Sequence, residues 1–326
     1  MYLKELKFSL WADFIERDYL DNEFKELIDK KIINGATSNP AIFKNAILSS
    51  SAYKEQLSTL KLLSPKEKYE AVAIYDIQKA ADILKPLYDA NDDGYVSIEV
   101  DPFLCDDADA TISEGERLYN TIGRKNVMIK IPATKAGYIA MRALTSKGIP
   151  VNATLIFKKE QALLCAKAFS EGVAEFGSSV DTVISVFVSR IDRALDDILT
   201  NAKIQRALSG IYNSADIYEA VEQMRVDGCR VLFASTGVKD DSLPAYYYIK
   251  ELLAYNSVNT APVDTIKAFD ASGFKSASLP ISQEKIREHF KKIEHIGIDF
   301  DAILDKQVED GLKSFKDAFQ DILESL

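Results

Sequence analysis

Val127-Met128-Ile129-Lys130-Ile131-Pro132 is the run that decides how the rest of the chain is read. Apolar, β-branched residues over this length predict a strand buried on both faces, as in a parallel sheet. Lys130 is out of keeping with it, because an ammonium in an apolar strand is costly unless it is paired or gives up its proton. A neutral amine held in a pocket is a nucleophile, and its usual chemistry is a Schiff base with a carbonyl. On this strand alone two plainer readings hold a slight edge: an edge-strand lysine reaching solvent, or one half of a structural ion pair. The flanking sequence reverses that order.

Outward from this run, strand-like segments recur at 8–13, 35–39, 95–101, 127–133, 151–157, 182–190, 230–235 and 257–261, each followed by a helical pattern. Repeated strand–helix units imply a parallel sheet, and eight of them an α/β fold closed into a single (β/α)8 (TIM) barrel. An open doubly wound sheet is the alternative, although no G-x-G-x-x-G follows the first strand. The longest insertion is 43–91. Within it Ser64-Pro65-Lys66-Glu67 combines a capping serine, proline at the first helical position and glutamate at the third, a strong helix start before a long amphipathic helix at 69–90. This insertion is open to three uses: covering the barrel bottom, forming an oligomer face or lidding the site. The tail, about 301–326, carries Ile303, Leu304, Val308, Leu312, Phe315 and Phe319 on one stripe. It is read as a helix packed on the barrel exterior in preference to a partner-binding helix. With no low-complexity segment and no Pro/Ser-rich linker, 1–326 is read as one domain.

Composition narrows the partners. The 326 residues are 47% hydrophobic and 28% charged, ample for a sizeable core, and the net charge of −10 is the opposite of a nucleic-acid footprint. An anionic substrate therefore needs a local basic pocket. Three widely spaced cysteines, Cys105, Cys165 and Cys229, argue against a disulfide framework or zinc site and for a reducing compartment. No apolar run is long enough to span a bilayer, and the first residues lack a secretory pattern, so a cytoplasmic location is expected, with no membrane partner. The two histidines, His289 and His295, sit in the charged stretch 283–297 and read as solvated helix-face residues. Acid–base work then falls to carboxylates, lysine or tyrosine.

Polar residues cluster at the carboxyl ends of the strand runs: Asp13, Thr37-Ser38-Asn39, Glu99 with Asp101, Lys130, Asn152 with Thr154, Ser185 with Arg190, and Ser235-Thr236 with Lys239. In a (β/α)8 barrel that end carries the active site, and catalytic groups arrive from several strands. Buried polar groups must find partners, and so many in otherwise apolar strands are hard to explain as packing.

In this order the segments LWADF, NGATSNPAIF, VSIEVDP, NVMIKIPATKAG, GIPVNATLIF, VISVFVSRID and LFASTGVKD resemble the strand motifs of the transaldolases, from about Ser9 to the C-terminal helix. The resemblance implies a class I aldolase-type barrel that moves a dihydroxyacetone unit from sedoheptulose 7-phosphate to glyceraldehyde 3-phosphate. The products are erythrose 4-phosphate and fructose 6-phosphate, in the non-oxidative pentose phosphate pathway. It implies Lys130 as the Schiff-base lysine and Asp13 as the acid–base group, although Asp13 also reads as a helix cap. Glu99 and Thr154 match residues holding a catalytic water, with a plain Glu99–Lys130 ion pair as the other reading. Ser38, Asn39, Asn152 and Ser185 fall to substrate binding, Asn39 also suiting a turn before Pro40. Arg190 and Ser235 match the phosphate grip. Better-known members carry a second arginine two residues after that serine; here Gly237 stands there, and the chain looks like the longer bacterial subfamily with A-S-T-G, leaving Lys239 as a substitute or a solvated loop lysine. A related aldolase that releases free dihydroxyacetone carries Gln where this chain has Glu99. A non-catalytic sugar-phosphate binder needs no nucleophile. The implied chemistry needs no cofactor and no metal, and monomer and homodimer are both open.

Overall fold

The computed structural model describes residues 1–326. Eight strands pair in sequence order, all parallel, and β8 returns to β1, so the sheet closes as a barrel and the open-sheet alternative falls. The strands are β1 (Ser9–Ala12), β2 (Gly35–Thr37), β3 (Tyr95–Glu99), β4 (Val127–Pro132), β5 (Val151–Ile156), β6 (Thr182–Phe187), β7 (Cys229–Ala234) and β8 (Ser257–Ala261). After β1 come α1 (Arg17–Asp21) and α2 (Glu23–Asp29), and after β2 come α3 (Pro40–Ser49), α4 (Lys54–Thr59) and α5 (Pro65–Asp89). Single helices α6 (Ala108–Ile122), α7 (Lys135–Thr145) and α8 (Lys159–Phe176) follow β3, β4 and β5. β6 leads to α9 (Ser189–Asn201) and α10 (Ser209–Met224), and β7 to α11 (Tyr247–Glu251). β8 is followed by α12 (Val263–Ser272), α13 (Gln283–His295) and α14 (Phe300–Ser325). No helix is long and apolar enough to cross a membrane.

Local chemistry explains several boundaries. Ser64 and Glu67 form the expected capping box, each satisfying the other's backbone N–H at the start of α5. Asn39, two residues past β2, caps α3, its Oδ1 accepting from Ile42 N at 3.0 Å, with Pro40 at the first helical position.

Period-two alternation divides the apolar residues between two cores. Outward positions such as Leu10, Val96, Ile129, Ile184 and Phe233 meet the helices in the larger core. Trp11, Tyr95, Met128, Val183, Leu232 and Val258 form a second cluster inside the barrel. Gly35 makes room there, since a Cβ on it would come within 2.5 Å of the Trp11 ring. Below, Trp11 Nε1 and Arg230 both donate to the Asp93 carboxylate, at 2.9 and 2.7 Å, and Arg230 and Asn34 reach Ser9 Oγ. This network stoppers the amino end of the barrel.

Two expectations are corrected. His289 is not solvated: α13 packs on α10, burying the ring, which bonds Ser209 Oγ at 2.9 Å and meets Tyr212 edge-on. Burial pushes its pKa down to about 4. The tail helix does pack on the barrel, but α14 lies against α3, α5, α9 and β5 rather than on the outer ring alone. It reaches the carboxyl mouth, where Phe315 enters the cavity. Of the insertion, α5 packs on β3 and α6, and α3 is the main neighbour of α14.

Candidate active site

The alternation that builds the inner core also builds the site. Two residues beyond Trp11, Gly35, Met128, Val183, Leu232 and Val258, on the same inward face, stand Asp13, Thr37, Lys130, Ser185, Ala234 and Thr260. All six line one cavity of about 110 Å³ at the carboxyl end, together with Asn39, Thr154, Phe187, Arg190, Ser235 and Phe315. The barrel is apolar at mid-height and polar at this end, as active barrels are.

Two backbone irregularities shape the wall. Between Ala153 and Ile156 the β5–β6 register shifts, with Leu155 at φ +59°, so Thr154 faces the cavity while Leu155 joins the inner cluster. Ser235 holds φ +55° just past β7, a conformation costly for a residue with a Cβ, and its hydroxyl lies 3.1 Å from that of Ser189.

Lys130 is nearly inaccessible. Its Nζ donates to the Ser38 carbonyl at 3.1 Å, lies 3.4 Å from Glu99 Oε2 and sits 5.5 Å from the centre of the Phe315 ring. Both Glu99 oxygens and the Thr154 hydroxyl are buried without a hydrogen-bond partner. Loss of solvation pushes the Glu99 carboxyl up to about 7 despite the Lys130 charge, so near neutral pH it exists in both protonation states. Asp13 accepts from Thr37 Oγ1 at 2.7 Å, and Thr37 lies 2.8 Å from Thr260 Oγ1. Burial raises the Asp13 carboxyl above the ordinary aspartate value, while Lys130, Thr37 and Arg190 pull it back. Asp13 caps no helix; Glu16 takes that role for α1, accepting from Tyr19 N at 2.8 Å. Arg190 stacks its guanidinium 5.1 Å from the Phe187 ring and makes no side-chain hydrogen bond or ion pair with the protein. Its donors are therefore left for an anion in the cavity.

The chain matches the family model described as transaldolase/fructose-6-phosphate aldolase over residues 10–326. It is 47% identical over 330 residues to a transaldolase of Campylobacter jejuni (strain RM1221), covering 98% of this chain and 99% of that one. It is 42% identical over 320 residues to a transaldolase of Helicobacter pylori (strain Shi470), covering 98% and 99%. The chain belongs to the transaldolase family. It is an enzyme, of the transferase class.

Within this transaldolase-family barrel, the residues singled out from sequence fall into three groups. Lys130, Asp13, Thr154, Asn39, Ser185, Arg190 and Ser235 stand on the cavity wall. Glu99, Ser38 and Asn152 lie just behind it, fully or almost fully buried. Ser38 donates its hydroxyl to the Ser97 carbonyl at 2.7 Å and offers its own carbonyl to Lys130. Asn152 donates to Ser97 Oγ at 3.0 Å and accepts from Ser185 Oγ at 2.6 Å, so its amide is engaged at both ends beneath the cavity. Lys239 is apart from both groups, exposed in the loop after β7. Lys239 is not among the residues lining the cavity, and earlier in the same loop Thr236 is tied to β8 by donating to Asn259 Oδ1 and the Thr260 carbonyl. Arg190 does not end β6, which stops at Phe187; it lies in the first turn of α9.

Sequence reasoning passed over Ser97, Thr260, Phe187 and Phe315. The first three were available from parity, since Ser97 shares an inward face with Glu99, Thr260 with Val258, and Phe187 with Ser185. Phe315 was seen only as part of an apolar stripe, which tells which face of a helix is buried but not against what.

Proposed function

We propose that this transaldolase-family enzyme transfers a dihydroxyacetone unit from sedoheptulose 7-phosphate to glyceraldehyde 3-phosphate through a Schiff base on Lys130, in the cytoplasm. The carrying observation is that Lys130 is the one lysine on the cavity wall, with a buried carboxyl 3.4 Å away and Asp13 and Arg190 on the same wall. The Lys130 amine attacks the C2 carbonyl of the ketose phosphate to give a carbinolamine. Glu99, poised near neutrality, takes the proton the ammonium must shed and returns it to the departing hydroxyl; its orphaned oxygens and that of Thr154 suit a bound water in this exchange. Water leaves and an iminium forms. Asp13 takes the C4 hydroxyl proton, the C3–C4 electron pair passes into the iminium, and the aldose phosphate departs. The three-carbon carbanion then adds to the acceptor aldehyde, Asp13 returns its proton, and hydrolysis frees the lysine. Arg190, with Ser235 and Ser189 beside it, holds the phosphate that fixes the carbon chain across the barrel.

The reading extends to the remaining residues. Asn39 keeps its amide N–H2 for substrate hydroxyls while Oδ1 caps α3, and Ser38 and Asn152 act by holding Lys130 and Ser185 in place. Three buried free cysteines accord with a reducing compartment.

Incubation with fructose 6-phosphate, borohydride reduction and peptide mapping should find a dihydroxyacetone-sized addition on the Lys130 peptide. Lys130→Ala should fold but lose both adduct and turnover; an active Lys130→Ala variant would remove the mechanism. Adding erythrose 4-phosphate separates transfer from the second activity in the family description: a transferase makes sedoheptulose 7-phosphate, whereas an aldolase accumulates free dihydroxyacetone whether or not the acceptor is present.

A further inference from the structure

Glu99 does not line the substrate cavity. It lines a separate small space behind the barrel wall, between β3, α5, α6 and α14, shared with Lys66, Tyr69, Ala73, Glu114 and Phe319. About 10 Å³ is free there, close to what one water requires. A water also needs polar partners, and the site offers them: two buried Glu99 oxygens with no hydrogen bond, and Tyr69, which lines the same space and whose hydroxyl feels the Glu99 charge. On the far side Lys66 donates to Asp101 and Glu114, at 2.7 and 2.8 Å. The Lys66 side chain is 36% exposed, against 10% for Glu114, so this cluster runs from the inner space to the surface.

Imine formation expels one water, and hydrolysis consumes one. While substrate fills the front, Phe315 and the bound ketose block that side. We infer that the space behind Glu99 is a rear water port: the water made when the carbinolamine loses its hydroxyl passes behind Glu99, and the same port supplies the water that later hydrolyses the imine. The step balances. The C2–O bond breaks, the nitrogen lone pair forms C=N, and the proton on the leaving hydroxyl is the one Glu99 took from the lysine. Tyr69, Lys66 and Glu114 are positioning residues that act through this water. The charged and titratable groups around Glu99 are Lys130 on β4, Asp13 after β1, Lys66, Tyr69 and Glu70 on α5, Glu114 on α6 and Asp101 after β3. The inference rests on the Lys130 Schiff base proposed above.

The test reads oxygen exchange into the C2 carbonyl of fructose 6-phosphate in ¹⁸O-water, over the non-enzymatic background, beside kcat and KM. Ala73→Val narrows the port without touching the substrate cavity, and Tyr69→Phe removes a water partner while keeping the volume. Both should slow enzyme-catalysed exchange and kcat by about tenfold, the size of one lost hydrogen bond to the water, with KM unchanged. If Ala73→Val does not fold, Tyr69→Phe alone decides. Exchange equal to wild type in a folded variant overturns the port, while the borohydride adduct on Lys130 persists. Absence of that adduct in the wild type overturns the Schiff-base reading and the port with it.

Discussion

Arg190 is a half-buried cation with no direct hydrogen bond or ion pair to the protein, its charge offset only in part by the nearby Asp13 carboxyl. Burial works against its charge, and the nearby Arg193 adds to the cost. An arrangement that is unfavourable in the free enzyme becomes favourable once an anion enters. Hydrogen bonds to a charged partner contribute about 1.5–3 kcal/mol each, so Arg190→Ala should raise KM for ketose phosphates roughly ten- to a hundredfold. The phosphate is gripped alike in ground and transition states, so kcat should hold, and steady-state kinetics would show a fall in kcat at constant KM if this role is wrong. At this scale the sequence was informative where a residue contradicts its surroundings: Lys130, Glu99 and Asn152 stand out in apolar strands. It was silent on direction. That Asn152 turns both ends of its amide to serines, or that Lys239 points into solvent, depends on backbone turns that residue type does not encode.

Among the elements, α14 departs most from expectation. Its apolar stripe was legible; its cap, Asp299 accepting from Ala302 N at 3.1 Å, was not singled out. Its seat over the mouth was not. Four residues before Phe315, on the same face, Gly311 allows the close approach: a Cβ there would lie 2.9 Å from Leu155 Cδ2 and 3.6 Å from Arg190 Nη1. Gly311→Val should therefore lift the helix, draw Phe315 off Lys130 and crowd Arg190. Overpacking of this kind costs about 1–3 kcal/mol of stability, and a displacement near 1 Å at reacting groups can lower kcat/KM by up to about a hundredfold. Thermal unfolding and kinetics measured together would show this; unaltered kcat/KM would mean that α14 is only a packing helix. His289 teaches the same lesson, since it lies on the Ile286–Ile293 stripe of α13 and its charged neighbours in sequence are not its neighbours in space.

For the whole molecule, the eight strand runs were readable because a parallel barrel strand is buried on both sides and announces itself as apolar. Closure itself is a long-range fact, set by β1 pairing with β8, Trp11 opposite Thr260. Gly177, at the exposed tip between α8 and β6, has φ +82° and open space where a Cβ would stand. Everything the proposal assigns to carbon chemistry, Asp13, Glu99, Lys130 and Thr154, precedes that tip. Everything assigned to the phosphate, Arg190, Ser189 and Ser235, follows it, as does Phe315. The protein is thus divided by labour into a segment that carries β1 to β5 and one that carries β6 to β8. Chains 1–177 and 178–326 made as separate polypeptides should each be inactive, the first with its lysine but no anion grip, the second with the reverse. Co-expression should restore activity by complementation, and sugar-phosphate turnover in either piece alone would show that the two tasks are not separable along the chain in this way.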